Sequence, residues 1–291
     1  MKILCFDIGC TDIKYGIIED GNIILKKKVA TEVDLGVDSF KKKLQVIVDC
    51  LAEPNGIKLV GVSCAGSVDI NESKIIVCPD HAPMLDKFDF REFFGQFGLE
   101  CYADNDVNCF GLAEMMAGHG QKYDHFLTMT VGTGIGGAVI MQKNVWRGPN
   151  FNAGEFGRMI MQNGVSYETV AATSALVRSA KENGLDVDNG QDVFALYDAK
   201  NPIAKKIVKN FYCYLAIGVA NLVYAFNPQS VIIGGGISNR PQFADELKVE
   251  LKKILHHSFY DTVVVQNSYF KNDGGIMGAY YLALSKHMEE K

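Results

Sequence analysis

Residues 126–140 read FLTMTVGTGIGGAVI, and the fold turns on how this stretch is read. It begins as an apolar run, 126–131, breaks at Gly132-Thr133-Gly134, and passes Gly136-Gly137 into a second apolar run, 138–141. Apolar and branched residues on both sides of a glycine cluster spell strand, turn, strand. Glycine lets the backbone come close to a ligand, and successive N–H groups in such a turn make a nest for an anion. Thr133 adds a hydroxyl donor. The start of the chain repeats the design: residues 4–18 read LCFDIGCTDIKYGII. In both stretches a threonine is followed seven residues later by an isoleucine, 11 to 18 and 133 to 140, and the second lacks one residue between glycine and threonine. Either hairpin alone is an ordinary glycine turn. Two of them more than a hundred residues apart imply two related lobes, each offering a loop to one anionic ligand.

The composition is that of a globular protein: 291 residues, 48% hydrophobic and 22% charged, long enough for about two domains. A net charge of −5 disfavours nucleic acid or an anionic membrane as partner. No apolar run reaches the roughly 18 residues of a membrane span, and the first residues enter a strand directly, so a cytoplasmic protein without a signal peptide is expected. The eight cysteines include no CxxC pair and fall in apolar contexts, so they read as small buried hydrophobes in a reducing compartment.

In chain order, a strand at 2–6 ends at Asp7, and 7–14 is the first loop and its return. An aspartate closing a strand beside a phosphate loop can hold Mg²⁺ through water, because Mg²⁺ keeps much of its hydration shell; it can equally cap local N–H groups. Lys14 can be a plain strand residue. Residues 22–31 continue the sheet, and 39–51 form an amphipathic helix with Phe40, Leu44, Ile47, Val48 and Leu51 on one face. A strand at 59–63 turns at 64–69 around Gly66, and the C-terminal end of a strand is where α/β sheets meet ligands. A strand at 99–103 runs into Asp104-Asn105-Asp106-Val107-Asn108 and a helix to about 117. One of these polar residues is needed as the N-cap; the others can face a ligand, with Asp106 a candidate base, Asp104 the next candidate, and Asn105 a ligand donor.

In 148–159, GPNFNAGEFGRM, Glu155 can pair with Arg158 or accept hydrogen bonds from ligand hydroxyls. A helix at 166–182 carries Glu168 in its first turn, where a carboxylate also suits the helix dipole. The longest helical pattern is 202–226, with Ile203, Ile207, Phe211, Leu215, Val219, Leu222, Val223 and Phe226 as its buried stripe. A strand at 230–233, a turn at Gly234-Gly235-Gly236, a helix at 243–255, a strand at 262–266 and a last helix from about 275 complete the chain. There is no GxxxxGK[ST], no HExxH and no GxSxG, and the glycines at 234 and 236 fail the dinucleotide fingerprint because its next glycine position is Asn239.

Taken together, eight ordered motifs resemble the ROK family (repressor, open reading frame, kinase) of the actin-like ATPase and sugar-kinase superfamily: DIGCT at 7–11, AGSVD at 65–69, NDVN at 105–108, VGTGIGG at 131–137, AGEFG at 153–157, YET at 167–169, NPQSVIIGGGIS at 227–238 and NDGGIMGA at 272–279. The resemblance spans nearly the whole chain. It implies an α/β, two-lobed actin-like ATPase (ribonuclease H-like) fold with an interlobe cleft, lobes at 1–118 and 119–274, a last helix at 275–291 packed back on the first lobe, and a homodimer. It implies ATP on Asp7, Gly9, Thr11, Lys14, Gly132, Thr133, Gly134, Gly235 and Gly236, with Mg²⁺ at Asp7 through water. It places the hexose on Gly66, Asn105, Asp106, Glu155 and Glu168, with Asp106 the catalytic base. Phosphoryl transfer is mostly positioning and charge stabilisation, and its loose transition state suits a weak base.

Three departures bear on that reading. Cys10 stands where the family usually has a second glycine, so a side chain narrows the approach to phosphate. Arg158 stands where the family commonly has histidine, and 161–166 has no cysteine, so zinc is not expected. Many family members carry an N-terminal helix-turn-helix and repress transcription, and with the first strand starting at residue 2 none is expected here. The zinc-less pattern resembles bacterial N-acetylmannosamine kinases, which act on the 6-hydroxyl in sialic-acid breakdown, and this is the expected activity; it also resembles β-glucoside kinases, a glucokinase comes third, and a sugar-sensing regulator is the non-enzyme alternative.

Overall fold

The computed structural model describes residues 1–78 and 82–289; positions 290 and 291 of the expected last helix lie outside them. Two compact units are present. The first is Met1–Met116, Arg147–Asn152 and Asp273–Lys291; the second is Ala117–Trp146 and Ala153–Asn272.

The first unit holds strands β1 (Lys2–Ile8), β2 (Asp12–Glu19), β3 (Asn22–Ala30), β4 (Leu59–Cys64), β5 (Ser67–Asp69), β6 (Lys74–Val77) and β7 (Glu100–Asn105), with helices α1 (Gly36–Leu51), α2 (Phe90–Gly95) and α3 (Asp106–Ala117). Its main sheet runs β3-β2-β1-β4-β7, while β5 and β6 pair separately. The first three strands form antiparallel pairs, and β4 and β7 continue in parallel. All six residues of β4 are buried, the signature of a strand covered on both faces. Helix α1 buries Phe40, Leu44, Ile47 and Val48, one stripe of the 3.6-residue period, whereas Leu51 is half-buried.

The second unit repeats this topology. Strands β8 (Phe126–Val131), β9 (Ile135–Met141), β10 (Asn144–Trp146), β11 (Ser230–Gly234) and β12 (Val264–Asn267) run in the order β10-β9-β8-β11-β12, again three antiparallel strands followed by two parallel ones. The glycine turn is confined to Gly132–Gly134. Gly136 and Gly137, read from the sequence as the passage into the second apolar run, already lie inside β9 opposite Thr130 and Met129. Gly137 is needed there because the Phe156 ring occupies the space a Cβ would fill.

Helices α4 (Tyr167–Ala171), α5 (Thr173–Glu182), α6 (Gly190–Asp198), α7 (Pro202–Phe226), α8 (Phe243–Ile254) and α9 (His257–Tyr260) complete the second unit. The single helix expected at 166–182 is two helices, broken at Ala172, whose ψ of 161° is extended. The cause is a hydrogen bond: the Thr173 N–H leaves the helical ladder and donates to the Gly132 carbonyl at 2.8 Å. Helix α7 is bracketed by Asn201, whose side chain accepts the Ile203 and Ala204 N–H groups, by Pro202 in the first turn, and by Asn227 in the left-handed region at φ 44°. By length and composition α7 passes for a membrane span, but it is a core helix with 61% of its apolar window buried. Ile203, expected in the buried stripe, is 41% exposed, because the stripe begins one residue later at Ala204.

The last helix, α10 (Gly274–Glu289), packs on β4, β1 and β7 of the first unit. Two glycines permit the approach. A Cβ on Gly61 would enter the Ala279 carbonyl, and one on Gly278 would enter the Cys109 carbonyl.

Candidate functional site

In the first unit, the ends of β1, β4 and β7 carry the polar residues. Asp7 is the last but one residue of β1; its Oδ2 accepts from Lys14 Nζ at 2.9 Å and its Oδ1 from the Ser63 hydroxyl at 2.9 Å. Gly275, at the start of α10, leaves no room for a Cβ against the Asp7 carboxylate, so this carboxylate also sits where a helix dipole favours negative charge. Lys14 faces Asp7 across the β1–β2 pair. The first loop is closed by the Gly9 N–H donating to the Asp12 carbonyl at 3.0 Å and is tied to Thr31, whose hydroxyl donates to the Gly9 carbonyl and whose N–H donates to the Thr11 carbonyl. Cys10 is half-buried, and burial, then the negative charge of Asp106, then Cys78 push its thiol pKa up.

The polar cluster after β7 divides its work among its members. Asn105 caps α3: its Oδ1 accepts the N–H groups of Val107 at 2.9 Å and Asn108 at 3.1 Å, while its Nδ2 donates to the Gly66 carbonyl at 3.0 Å. Asp104 is 1% exposed and fully engaged, with Oδ1 accepting from the Asn105 N–H and Asn108 Nδ2 and Oδ2 accepting from Arg147. It is therefore a structural anion and drops out as a second candidate base. Asp106 is the first residue of α3, and its Oδ1 takes a share of the Val107 N–H at 2.9 Å. With Asn105 supplying the cap, the helix end does not depend on Asp106. Gly66, at φ 98°, adopts a backbone that favours glycine and brings its carbonyl to Asn105.

In the second unit, the loop Gly132–Gly134 is held from one side. The Gly132 N–H donates to the Gly134 carbonyl at 3.0 Å, the Thr173 N–H to the Gly132 carbonyl, and the Ser174 hydroxyl to the Thr133 carbonyl at 2.6 Å. The carbonyls of Gly132 and Thr133 are thus consumed by the start of α5. The N–H groups of Thr133 and Gly134 take no part in these bonds, which is the arrangement an anion nest requires. Glu168 lies against the same loop, its Oε2 accepting the Ile135 N–H at 3.3 Å. Glu155 is exposed and pairs with Arg158 at 3.2 Å, a surface contact that adds little stability and is easily exchanged for a ligand.

A cavity of about 1240 Å³ opens within the second unit, lined by Gly132, Thr133, Ser174, Gly236, Asn239 and Arg240 among others. It brings the second loop and the glycine turn after β11 to one site. Gly235, at φ 82°, comes so close to β8 that a Cβ would sit 2.6 Å from the Val131 carbonyl oxygen. One wall is braced by Arg240, which bonds Asp198 and Glu246 through two nitrogens each at 2.7–2.8 Å and stacks 4.7 Å from the Phe194 ring centre. Its hydrogen bonds hold the Asp198 carboxyl below the usual carboxylate range. Ser174, Arg240, Asp198 and Phe194 carried no signal in the sequence, since each is an ordinary helix or loop residue until the fold brings them together. Among the described residues, no group of three or more His, Cys, Asp or Glu is placed to hold a metal ion.

The model of the ROK family matches residues 3–286. The chain belongs to the ROK family. This ROK chain is similar to a β-glucoside kinase of Listeria innocua, 34% identical over 293 residues with 97% of each chain covered. It is also similar to a glucokinase of Thermotoga maritima, 27% identical over 309 residues and covering 96% of each. Among solved structures it is similar to a Listeria monocytogenes protein described as a candidate N-acetylmannosamine kinase, with a TM-score of 0.89 at 31% identity over 99% of this chain and 100% of the other. The glucokinase of Streptomyces griseus in complex with glucose and AMPPNP shares the fold at a TM-score of 0.84 and 23% identity, covering 98% of this chain and 100% of that one. The ROK chain is an ATP-dependent sugar kinase with the actin-like ATPase fold expected from its motifs.

Proposed function

We propose that this ROK kinase phosphorylates the 6-hydroxyl of a β-glucoside, with Asp106 as the base that takes the hydroxyl proton. The observation that carries the base assignment is the capping of α3 by Asn105. A carboxylate that is not required as a cap, at the end of a central parallel strand, stands where α/β sheets present ligand groups. An ordinary aspartate, with a pKa near 3.9, is ionised at neutral pH, and a loose transition state releases the proton late enough for so weak a base. Asn105 fixes the Gly66 backbone, and Glu155 and Glu168 accept hydroxyl hydrogen bonds from the sugar, each carboxylate having several acceptor positions.

In this reading Gly132–Gly134 of the second unit is a phosphate loop with Gly235 and Gly236 beside the nucleoside, and Gly9–Thr11 of the first unit is another phosphate loop. Magnesium, when bound, neutralises charge on the phosphates. Asp7 fits it as a single carboxylate reaching a hydrated ion, since its oxygens already accept from Lys14 and Ser63 and no cage of further ligands surrounds it among the described residues. Lys14 holds the Asp7 carboxylate in place for that contact.

The choice of sugar rests on three β-glucoside kinases at 32–34% identity, each covering 97% of this chain. A second reading, phosphorylation of N-acetylmannosamine in sialic-acid breakdown, is favoured by the likeness to the candidate N-acetylmannosamine kinase. A dimer working in the cytoplasm accords with both readings. Phosphorylation of cellobiose, an aryl β-glucoside, N-acetylmannosamine, N-acetylglucosamine and glucose, each with Mg-ATP, decides between them. The β-glucosides are expected to give the highest kcat/KM; a higher value for N-acetylmannosamine replaces the first reading by the second.

A further inference from the structure

We infer that Glu168 is a positioning residue for the second phosphate loop, so that one carboxylate sets the nucleotide site as well as meeting the sugar. The inference rests on the reading of Gly132–Gly134 as a phosphate loop. Three contacts within the second unit carry it. Oε2 of Glu168 accepts the Ile135 N–H at 3.3 Å, at the point where the loop becomes strand β9. The same oxygen lies 2.6 Å from where a Cβ on Gly134 would be, so Gly134 is the residue type that lets the carboxylate touch the loop. It also lies 2.8 Å from the Cβ position of Gly157, and Gly157 presses against the Ile135 carbonyl. Glycines at 134 and 157 therefore flank a slot in which the carboxylate sits, with the loop on one side and the AGEFG segment on the other.

The backbone around the slot shows why the carboxylate has leverage. Helix α4 is a single turn, anchored by the buried Tyr167, whose hydroxyl donates to the Leu215 carbonyl at 2.7 Å and whose ring fills the space left by Gly218 on α7. Glu168 follows Tyr167 directly, so its backbone is fixed to the core of the unit. The loop it touches is fixed from α5 only through the carbonyls of Gly132 and Thr133. The Ile135 N–H bond is the tie from the opposite end. Without it, the end of the loop at Gly134 loses a fixed neighbour, and the N–H groups meant for phosphate lose their common direction.

This role separates from sugar binding because it operates before any sugar arrives. Titration calorimetry of the whole protein with AMP-PNP and magnesium, in the absence of sugar, reads it directly. Glu168→Ala is expected to weaken AMP-PNP at least about fivefold, the loss of one hydrogen bond, and to raise KM for ATP as well as for sugar. Glu155→Ala is expected to raise KM for sugar and leave AMP-PNP affinity unchanged. A double-mutant cycle adds a geometric readout: Gly134→Ala is expected to weaken AMP-PNP more in the wild-type background than in Glu168→Ala, because the obstructing carboxylate is gone.

Thermal melting accompanies each variant. If Glu168→Ala does not fold, Glu168→Met, which fills the slot without a carboxylate acceptor, and Gly134→Ala are the readout, and wild-type AMP-PNP affinity in both overturns the inference. Where the wild type phosphorylates sugars and a folded Glu168→Ala binds AMP-PNP as tightly as wild type, the inference fails alone. Where no sugar is phosphorylated but AMP-PNP binding depends on Glu168, the substrate reading fails and the positioning role stands.

Discussion

Arg147 clamps Asp104 with two hydrogen bonds to one carboxylate oxygen, from Nε at 2.9 Å and from Nη2 at 2.6 Å. The carboxylate is 1% exposed, and the guanidinium side chain 19%. Arg147 belongs to the short segment Arg147–Asn152 of the first unit, far in sequence from β7. Removing the cation leaves a buried anion with only amide donors. Arg147→Ala is expected to destabilise the protein by about 3–5 kcal/mol, read by urea or thermal unfolding. A loss below about 1 kcal/mol means that water replaces the guanidinium.

Asp106→Asn and Asn105→Ala should fail in opposite ways. The first keeps the helix cap and removes the proton acceptor, so kcat is expected to fall about 10²–10⁴-fold with little change in melting temperature. The second removes the cap and the tie to Gly66, with an expected stability loss of about 0.5–2 kcal/mol from the cap alone. Near wild-type kcat in a folded Asp106→Asn protein removes the base assignment.

Cys10 reports on the same carboxylate without catalysis. Burial first, then Asp106, raises its pKa, so less thiolate is present at a given pH and alkylation is slow. In Asp106→Asn the negative charge is gone, the Cys10 pKa falls, and alkylation by iodoacetamide at pH 8 is expected to speed up. Cys50 is exposed and serves as the internal standard. An unchanged rate at Cys10, with peptide mapping to separate the sites, shows that the two groups do not interact.

Alkaline pH should unfold this protein readily. Burial holds the thiols of Cys5, Cys64, Cys101 and Cys109 well above their ordinary pKa. In the unfolded chain they ionise near pH 8.5. Above that pH the unfolded state binds fewer protons than the folded state, so stability falls as pH rises. Below it the contribution is fully present. Each thiol adds a slope of up to about 1.4 kcal/mol per pH unit. Melting temperatures between pH 7 and pH 10.5 are expected to drop beyond pH 8.5, and serine or alanine at these four positions should flatten the drop.

Gly278→Ala is expected to cost about 1–3 kcal/mol or more through overpacking, because its Cβ would enter the Cys109 carbonyl and neither backbone can step aside cheaply. Gly95→Ala on α2 has open space around it and should be neutral or stabilising by about 0.5–1 kcal/mol. Equal melting temperatures for the two variants contradict the packing of α10 described here.

The hairpins were legible because apolar runs broken by Gly9 and by Gly132–Gly134 state both strand and turn locally. Helix α7 was legible because Asn201, Pro202 and Asn227 mark its ends. The break at Ala172 was not, since residues 166–182 keep a helical period throughout and the hydrogen bond that breaks it comes from Thr173 to Gly132, 41 positions away. Within the site, the residues at 104–106 were found as a group, but their division of labour was hidden. Nothing local distinguishes Asp104, paired with Arg147, from Asp106, and Asn105 and Asp106 are equally good caps by residue type. Ile203 was placed in the core because a helical period carries no information about where its buried face begins at the first turn.

The position of α10 has a consequence for synthesis. Strands β1, β4 and β7 emerge from the ribosome long before α10, the helix that packs on their sheet. The second unit, apart from its sheet's own neighbours, has all its helices in hand by residue 260. The nascent first unit therefore lacks the α10 cover of its sheet until residues 274–289 follow, and exposed apolar sheet is prone to aggregation.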